Sequence, residues 1–190
     1  MEALKNKILA EGQVIGTEII KVDSFLNHQI DAKFMYEIGG EFKDRFHDKE
    51  ITKILTIEAS GIAIAVCCAT FFGFPPVVFA KKSAPSTMVE GFYSSKAKSF
   101  TRGSYSLVKI AKKFLSAGDK VLIIDDFLAH GEAALALCDL IGQAGAHVAG
   151  IGAVIEKEFQ GGGARLRAKG YKVESLAIIR EIRDGQILFR

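Results

Sequence analysis

Apolar residues recur along this chain with two different spacings, and the spacing changes near residue 50. Residues 2–11 read as a short helix with Leu4, Ile8 and Leu9 on one side. Residues 13–30 lack a clean period and read as extended segments and loops. Asp31 is placed to cap a following helix, in which Phe34, Ile38, Phe42 and Phe46 recur every four residues and form one core-facing stripe. From residue 53 short apolar runs alternate with helical patterns. KILTI (53–57) predicts a strand, EASG (58–61) a turn, and the next stretch an apolar helix to about Phe72. Strands follow at 77–80, 121–125, 147–155 and 171–179, with helices at 131–144 and 162–169 and a terminal turn at Asp184-Gly185. Strands that alternate with helices, and are themselves almost continuously apolar, predict an α/β fold: a Rossmann-like parallel sheet flanked by helices on both faces. Ligands in such folds bind beyond the carboxyl ends of the strands, at a topological switch point. The segment 81–104 is long and polar for a connection. Part of it is placed to pair as a ribbon with 105–110, and the whole is placed to cover a site.

Composition narrows the classes. The chain has 190 residues, 49% of them hydrophobic and 25% charged, enough for one domain, or one with a small appendage, and a substantial core. The net charge of +3 is small, and Lys and Arg alternate with Asp and Glu, which argues against a nucleic-acid-binding stripe. Three cysteines, two of them adjacent at Cys67-Cys68 and one at Cys138, show no metal-ligand spacing and read as free thiols in a reducing compartment. The N-terminal segment has no signal-peptide pattern, and the longest apolar run (62–74) is too short to span a bilayer, so a cytoplasmic location without membrane contact is expected.

The chemistry concentrates in VLIIDDFLAHGEAA (121–134). Two adjacent carboxylates, Asp125 and Asp126, follow a buried strand and can accept hydrogen bonds from vicinal hydroxyls such as those of a ribose. The turn Ala129-His130-Gly131-Glu132-Ala133 opens a helix, where free backbone N–H groups make a phosphate cradle and small residues allow close approach. Together these describe a ribose 5-phosphate site. No GK[ST] sequence follows, so this is not a P-loop. Gly150-x-Gly152 and Gly161-Gly162-Gly163 lack the context of a dinucleotide fingerprint. As residues alone, EASG is a plain strand–helix connection, Lys157 a surface lysine and Phe159 a core aromatic.

VLIIDDFLAHGEA resembles the phosphoribosyl pyrophosphate (PRPP) signature of the type I phosphoribosyltransferases. KVDSFLNHQID (21–31), EASGI (58–62), VVFAKK (77–82) and VIEKEFQ (154–160) resemble the bacterial xanthine phosphoribosyltransferases in particular. The resemblance implies transfer of 5-phosphoribosyl from PRPP to xanthine, with magnesium carried by PRPP and no dedicated protein metal site. It implies that Asp125 and Asp126 take the ribose hydroxyls and that Ala129, His130, Gly131, Glu132 and Ala133 take the 5-phosphate. Glu58, Ala59, Ser60 and Gly61, with Lys81 and Lys82, correspond to the pyrophosphate side, and Ile20, Asn27, Lys157 and Phe159 to the xanthine side. It further implies a single domain in which residues 1–40 form a base-binding hood, 50–180 form the nucleotide-binding core, and the tail joins the hood, in a homodimer with no nucleic-acid partner. His130 stands where the xanthine enzymes carry Asn, and its ring would add a pH-dependent phosphate contact. The middle of the 83–104 segment matches the family poorly and receives no residue assignment. Three alternatives stay open: a hypoxanthine or guanine phosphoribosyltransferase; a non-catalytic PRPP-binding regulator, for which no DNA-binding segment is visible; and a general nucleotide-binding module with no turnover.

Overall fold

In the computed structural model, which describes residues 1–83, 91–99 and 104–190, the aromatic stripe and the apolar strands meet as the pattern requires. Helix α1 spans Glu2–Glu11 and α2 spans Ala32–Arg45. Asp31 caps α2: its carboxylate accepts the Phe34 N–H at 3.0 Å. Phe34, Ile38, Phe42 and Phe46 are all buried. Leu4 and Ile8 are buried as well, but Leu9 is 59% exposed, because a 3.6-residue period turns the neighbour of Ile8 toward solvent. The irregular stretch 13–30 holds a small hairpin, β1 (Gln13–Ile15) with β2 (Ile19–Lys21), and then a π-helical turn at Asp23–Asn27.

The core sheet contains β3 (Lys53–Ile57), β4 (Val77–Ser83), β5 (Phe92–Ser99), β6 (Ser104–Ala111), β7 (Lys120–Leu128), β8 (His147–Lys157), β9 (Val173–Arg183) and β10 (Gln186–Phe189). Among the described residues the order is β10-β9-β8-β7-β3-β4-β6-β5. The strands β4, β3, β7, β8 and β9 run parallel, while β10 and the β5–β6 ribbon are antiparallel additions at the two edges. The expected ribbon is therefore present. The remainder of the expected lid, 84–90 and 100–103, lies outside the described residues. Strand β10 went unpredicted because its four residues, only half-buried, alternate too briefly to register.

Helices α3 (Gly61–Phe71), α4 (Glu132–Gln143) and α5 (Gly162–Ala168) complete the layers. Alternation along β7 divides the core in two. Leu122 and Ile124 pack with α1, α2 and α3 on one face, while Val121 and Ile123 pack with α4 and with Leu166 of α5 on the other. The two glycines of β8 belong to this packing. A Cβ on Gly150 would lie 2.4 Å from the Phe46 ring, and one on Gly152 would lie 2.7 Å from the Phe42 ring. They are the sockets of the aromatic stripe. Among the described residues no helix is long and apolar enough to cross a membrane.

The connections expose the switch point. From β3 the chain moves outward to β4 and the ribbon, then returns to β7 on the other side of β3. Parallel pairing of β3 with β7 ends at Leu55–Ile123, whereas β7 stays paired with β8 as far as Leu128–Glu156. The sheet thus opens between β3 and β7 at the carboxyl ends. Filling a socket should loosen this arrangement: Gly150→Val is expected to lower stability by about 2 kcal/mol through overpacking against Phe46, read as a lower midpoint in urea denaturation. An unchanged midpoint would contradict the socket role.

Candidate active site

The opening between β3 and β7 is a cavity of about 850 Å³. Its walls are the β1–β2 turn, the end of β3 with Glu58 and Ser60, Lys82 of β4, residues 125–134, residues 151–153 and Lys157 of β8, and Gln160 beyond it. Strand β7 runs three residues past its predicted end, so Asp125 and Asp126 lie in its interior rather than at its carboxyl end. Strand β4 is longer too, which places Lys81 and Lys82 in a strand instead of a loop. Alternation then separates them. Lys82 faces the cavity, with its N–H donating to Glu58 Oε1, while Lys81 lines a different groove beside Phe79 and Lys109.

The turn 129–131 leads into α4, whose first N–H groups have no intrahelical partner. Gly131 takes φ = 82°, the left-handed region that favours glycine. The turn is braced from below by a segment that sequence reasoning set aside. Gly162 N–H donates to Ala129 O at 3.0 Å, and a Cβ on Gly162 would lie 2.2 Å from that oxygen. The glycine triplet is therefore the seat of the candidate phosphate turn. His130 Nδ1 lies 3.1 Å from Gln160 O; a carbonyl only accepts, so Nδ1 carries the hydrogen.

The other expected residues divide between the cavity and its surroundings. Asn27 Nδ2 lies 3.5 Å from Asp126 Oδ2, linking the π-helical turn to the carboxylate pair. Lys157 lines the cavity and donates to Glu18 O at 2.7 Å. Ile20, in the middle of the hairpin strand β2, is buried in the core, and Phe159 is 39% exposed outside the cavity lining. The aromatic that does line it is Phe127, whose ring centre is 5.5 Å from Lys157 Nζ. Its position two residues after Asp125 on one strand was the available signal. Ala59 and Gly61 fall outside the lining; Gly61 begins α3, where a Cβ would lie 2.0 Å from Thr56 Oγ1.

The segment 27–181 matches the family model for the phosphoribosyl transferase domain. The chain belongs to the phosphoribosyl transferase family. A xanthine phosphoribosyltransferase of Clostridium novyi (strain NT) is 54% identical over 190 residues, covering 100% of both chains, and one of Clostridioides difficile (strain 630) is 53% identical with the same coverage. Among solved structures, the fold is similar to that of the Giardia lamblia APRTase complexed with 9-deazaadenine, with TM-score 0.76 and 20% identity over 92% of this chain and 96% of that one. The adenine phosphoribosyltransferase of Thermoanaerobacter pseudethanolicus gives TM-score 0.72 at 22% identity, over 92% and 98%.

The electrostatics of the cavity are uneven. Burial, and then the neighbouring Asp126 charge, push the Asp125 carboxyl well above the usual carboxylate range. Burial draws Lys157 below the ordinary lysine range, and the Glu18 charge opposes it in part. The thiols are remote from this chemistry: Cys68 and Cys138 are buried, and burial pushes Cys138 up to about 11. For Asp125 the folded-state pKa is raised, so its stabilising balance holds at acid pH and is lost as pH rises toward the folded value. Asp125→Asn keeps the oxygen that accepts the Asp126 N–H and removes the charging penalty. The variant should therefore melt higher than the parent at pH 8, with the difference shrinking toward pH 4. Equal melting temperatures at pH 8 would contradict the shift.

Proposed function

We propose that this protein is a xanthine phosphoribosyltransferase, joining the 5-phosphoribosyl group of PRPP to xanthine to give xanthosine 5′-monophosphate and pyrophosphate. The observation that carries the proposal is that one cavity joins a helix-opening turn, a carboxylate pair and a half-buried lysine. Those groups match, in order, a 5-phosphate, vicinal ribose hydroxyls and an oxopurine. The curated relatives at 53–54% identity over the whole chain carry the xanthine name.

In this reading Asp125 and Asp126 hold the ribose 2- and 3-hydroxyls, and the backbone of 129–133 holds the phosphate. The C1–O bond to pyrophosphate breaks, its electron pair leaving with the diphosphate, and a purine nitrogen forms the new bond to C1 as its proton departs. Glu58 and Ser60, which line the cavity, face the pyrophosphate side, with Ala59 and Gly61 completing the turn behind them, and Lys82 supplies positive charge where the leaving group develops negative charge. Lys81 faces away from this cavity and takes no part in it. Lys157 meets an exocyclic oxygen of the base, an acceptor that adenine's amino group does not offer. Asn27 orients Asp126 and the 2-oxo side, and Phe127 offers the ring face nearest Lys157.

Magnesium enters with PRPP. The diphosphate oxygens of PRPP and water would hold the ion, as suits magnesium. When bound, the ion neutralises charge on the diphosphate. Residues 1–40 act as the hood over the base and 50–180 as the nucleotide core, in a cytoplasmic homodimer.

A purine panel with PRPP and magnesium, read by pyrophosphate release, tests the proposal. Xanthine should turn over with the highest kcat/KM. Faster turnover of guanine or hypoxanthine would reassign the base preference, and PRPP binding without turnover of any purine would favour a regulator.

A further inference from the structure

Glu132 poses an electrostatic problem for the candidate phosphate turn. It lies in the first turn of α4 and lines the cavity, so its carboxylate is attracted to the same free N–H groups that a 5-phosphate would use. Once both anions sit there they repel each other. The fold supplies a counter-charge from outside the cavity. Arg165, on α5, donates from Nη1 to Glu132 Oε1 at 2.7 Å and to His130 O at 3.1 Å. One guanidinium nitrogen thus draws the carboxylate aside and ties down the backbone of the turn.

The support beneath Arg165 is rigid. Helix α5 begins at the glycine triplet on which the turn rests, and a Cβ on Gly163 would lie 1.9 Å from Glu156 Oε1. Glu156 is buried and pairs with both terminal nitrogens of Arg167 at 2.8 Å, while Ser175 Oγ donates to it at 2.5 Å. The arginine is therefore presented from a fixed platform that also carries Lys157 on the adjoining residue.

We propose that Arg165 is a positioning residue for PRPP: it neutralises Glu132 and draws that carboxylate aside, so that the turn presents its amides to the phosphate. This rests on the assignment of 129–133 to the 5-phosphate. The side chain is 51% exposed, and an ion pair this exposed adds little to folding stability, so its removal tests the site and not the fold.

The test is steady-state kinetics of Arg165→Ala in the parent and in a Glu132→Gln background, with Gly131→Ala alongside. Arg165→Ala should raise the PRPP KM about fivefold, the scale of one uncompensated charge at a helix N-terminus, and leave the xanthine KM within about twofold. In the Glu132→Gln background the same substitution should change the PRPP KM by less than about twofold, because the charge to be neutralised is gone. A purely structural arginine would not show this rescue. An unchanged PRPP KM in Arg165→Ala, or an equal rise in both backgrounds, would overturn the proposal. Gly131→Ala distorts the turn directly. If it leaves the PRPP KM unaltered, the phosphate assignment itself fails; if it raises it while Arg165→Ala does not, only the role of Arg165 fails.

Discussion

The site depends on one asymmetry in strand pairing. Strand β7 is held by both neighbours at its start but only by β8 at its end: its pairing with β3 stops at Ile123, while its pairing with β8 continues to Leu128. The unpaired edge beyond Ile123 opens the cavity. Because β8 still supports it, Asp125 and Asp126 are presented from an ordered strand rather than from a loop. Groups that must hold a substrate within tenths of an ångström are better placed on such an element. The same extension delivers residues 129–131 to the N-terminus of α4, and β8, running equally far, delivers Lys157 opposite them.

Glycines make this geometry possible by what they leave empty. Gly150 and Gly152 take the rings of Phe46 and Phe42, which lets α2 lie close on the sheet, and Gly162 lets the α5 segment touch the backbone of the candidate phosphate turn. The first pair seats a helix, the second contact seats a turn of the cavity wall. Both follow from the same physics: a close-packed interior has no room for a methyl group where backbone or an aromatic ring already sits.

Much of this was legible in the sequence. The four-residue spacing of Phe34, Ile38, Phe42 and Phe46 named the core face of α2, and Asp31 named its start. VLIIDDFLAHGEA places a strand, a carboxylate pair and a helix-opening turn by its residues alone. What stayed hidden was three-dimensional. Nothing in VVFAKKS says that the strand continues through both lysines, so the separation of Lys81 from Lys82 had to be seen. Phe159 sits in a short 3-10 turn, where local pattern does not predict direction, and Phe127 took the place beside Lys157. The glycine triplet lacks a cofactor fingerprint, and what its middle residue, Gly162, makes room for is the backbone of the 129–131 turn.

The central claim is that one cavity holds phosphate at 129–133 and an oxopurine at Lys157, with the ribose on the carboxylates between them. A crystal structure with xanthosine 5′-monophosphate bound tests this most directly. The phosphate is expected within hydrogen-bond distance of the backbone N–H groups of 129–133, the ribose hydroxyls on Asp125 and Asp126, and an exocyclic oxygen of the base on Lys157 Nζ. A nucleotide bound in the reverse direction, with its phosphate at Lys157 and its base over the α4 turn, or bound elsewhere on the protein, would contradict it.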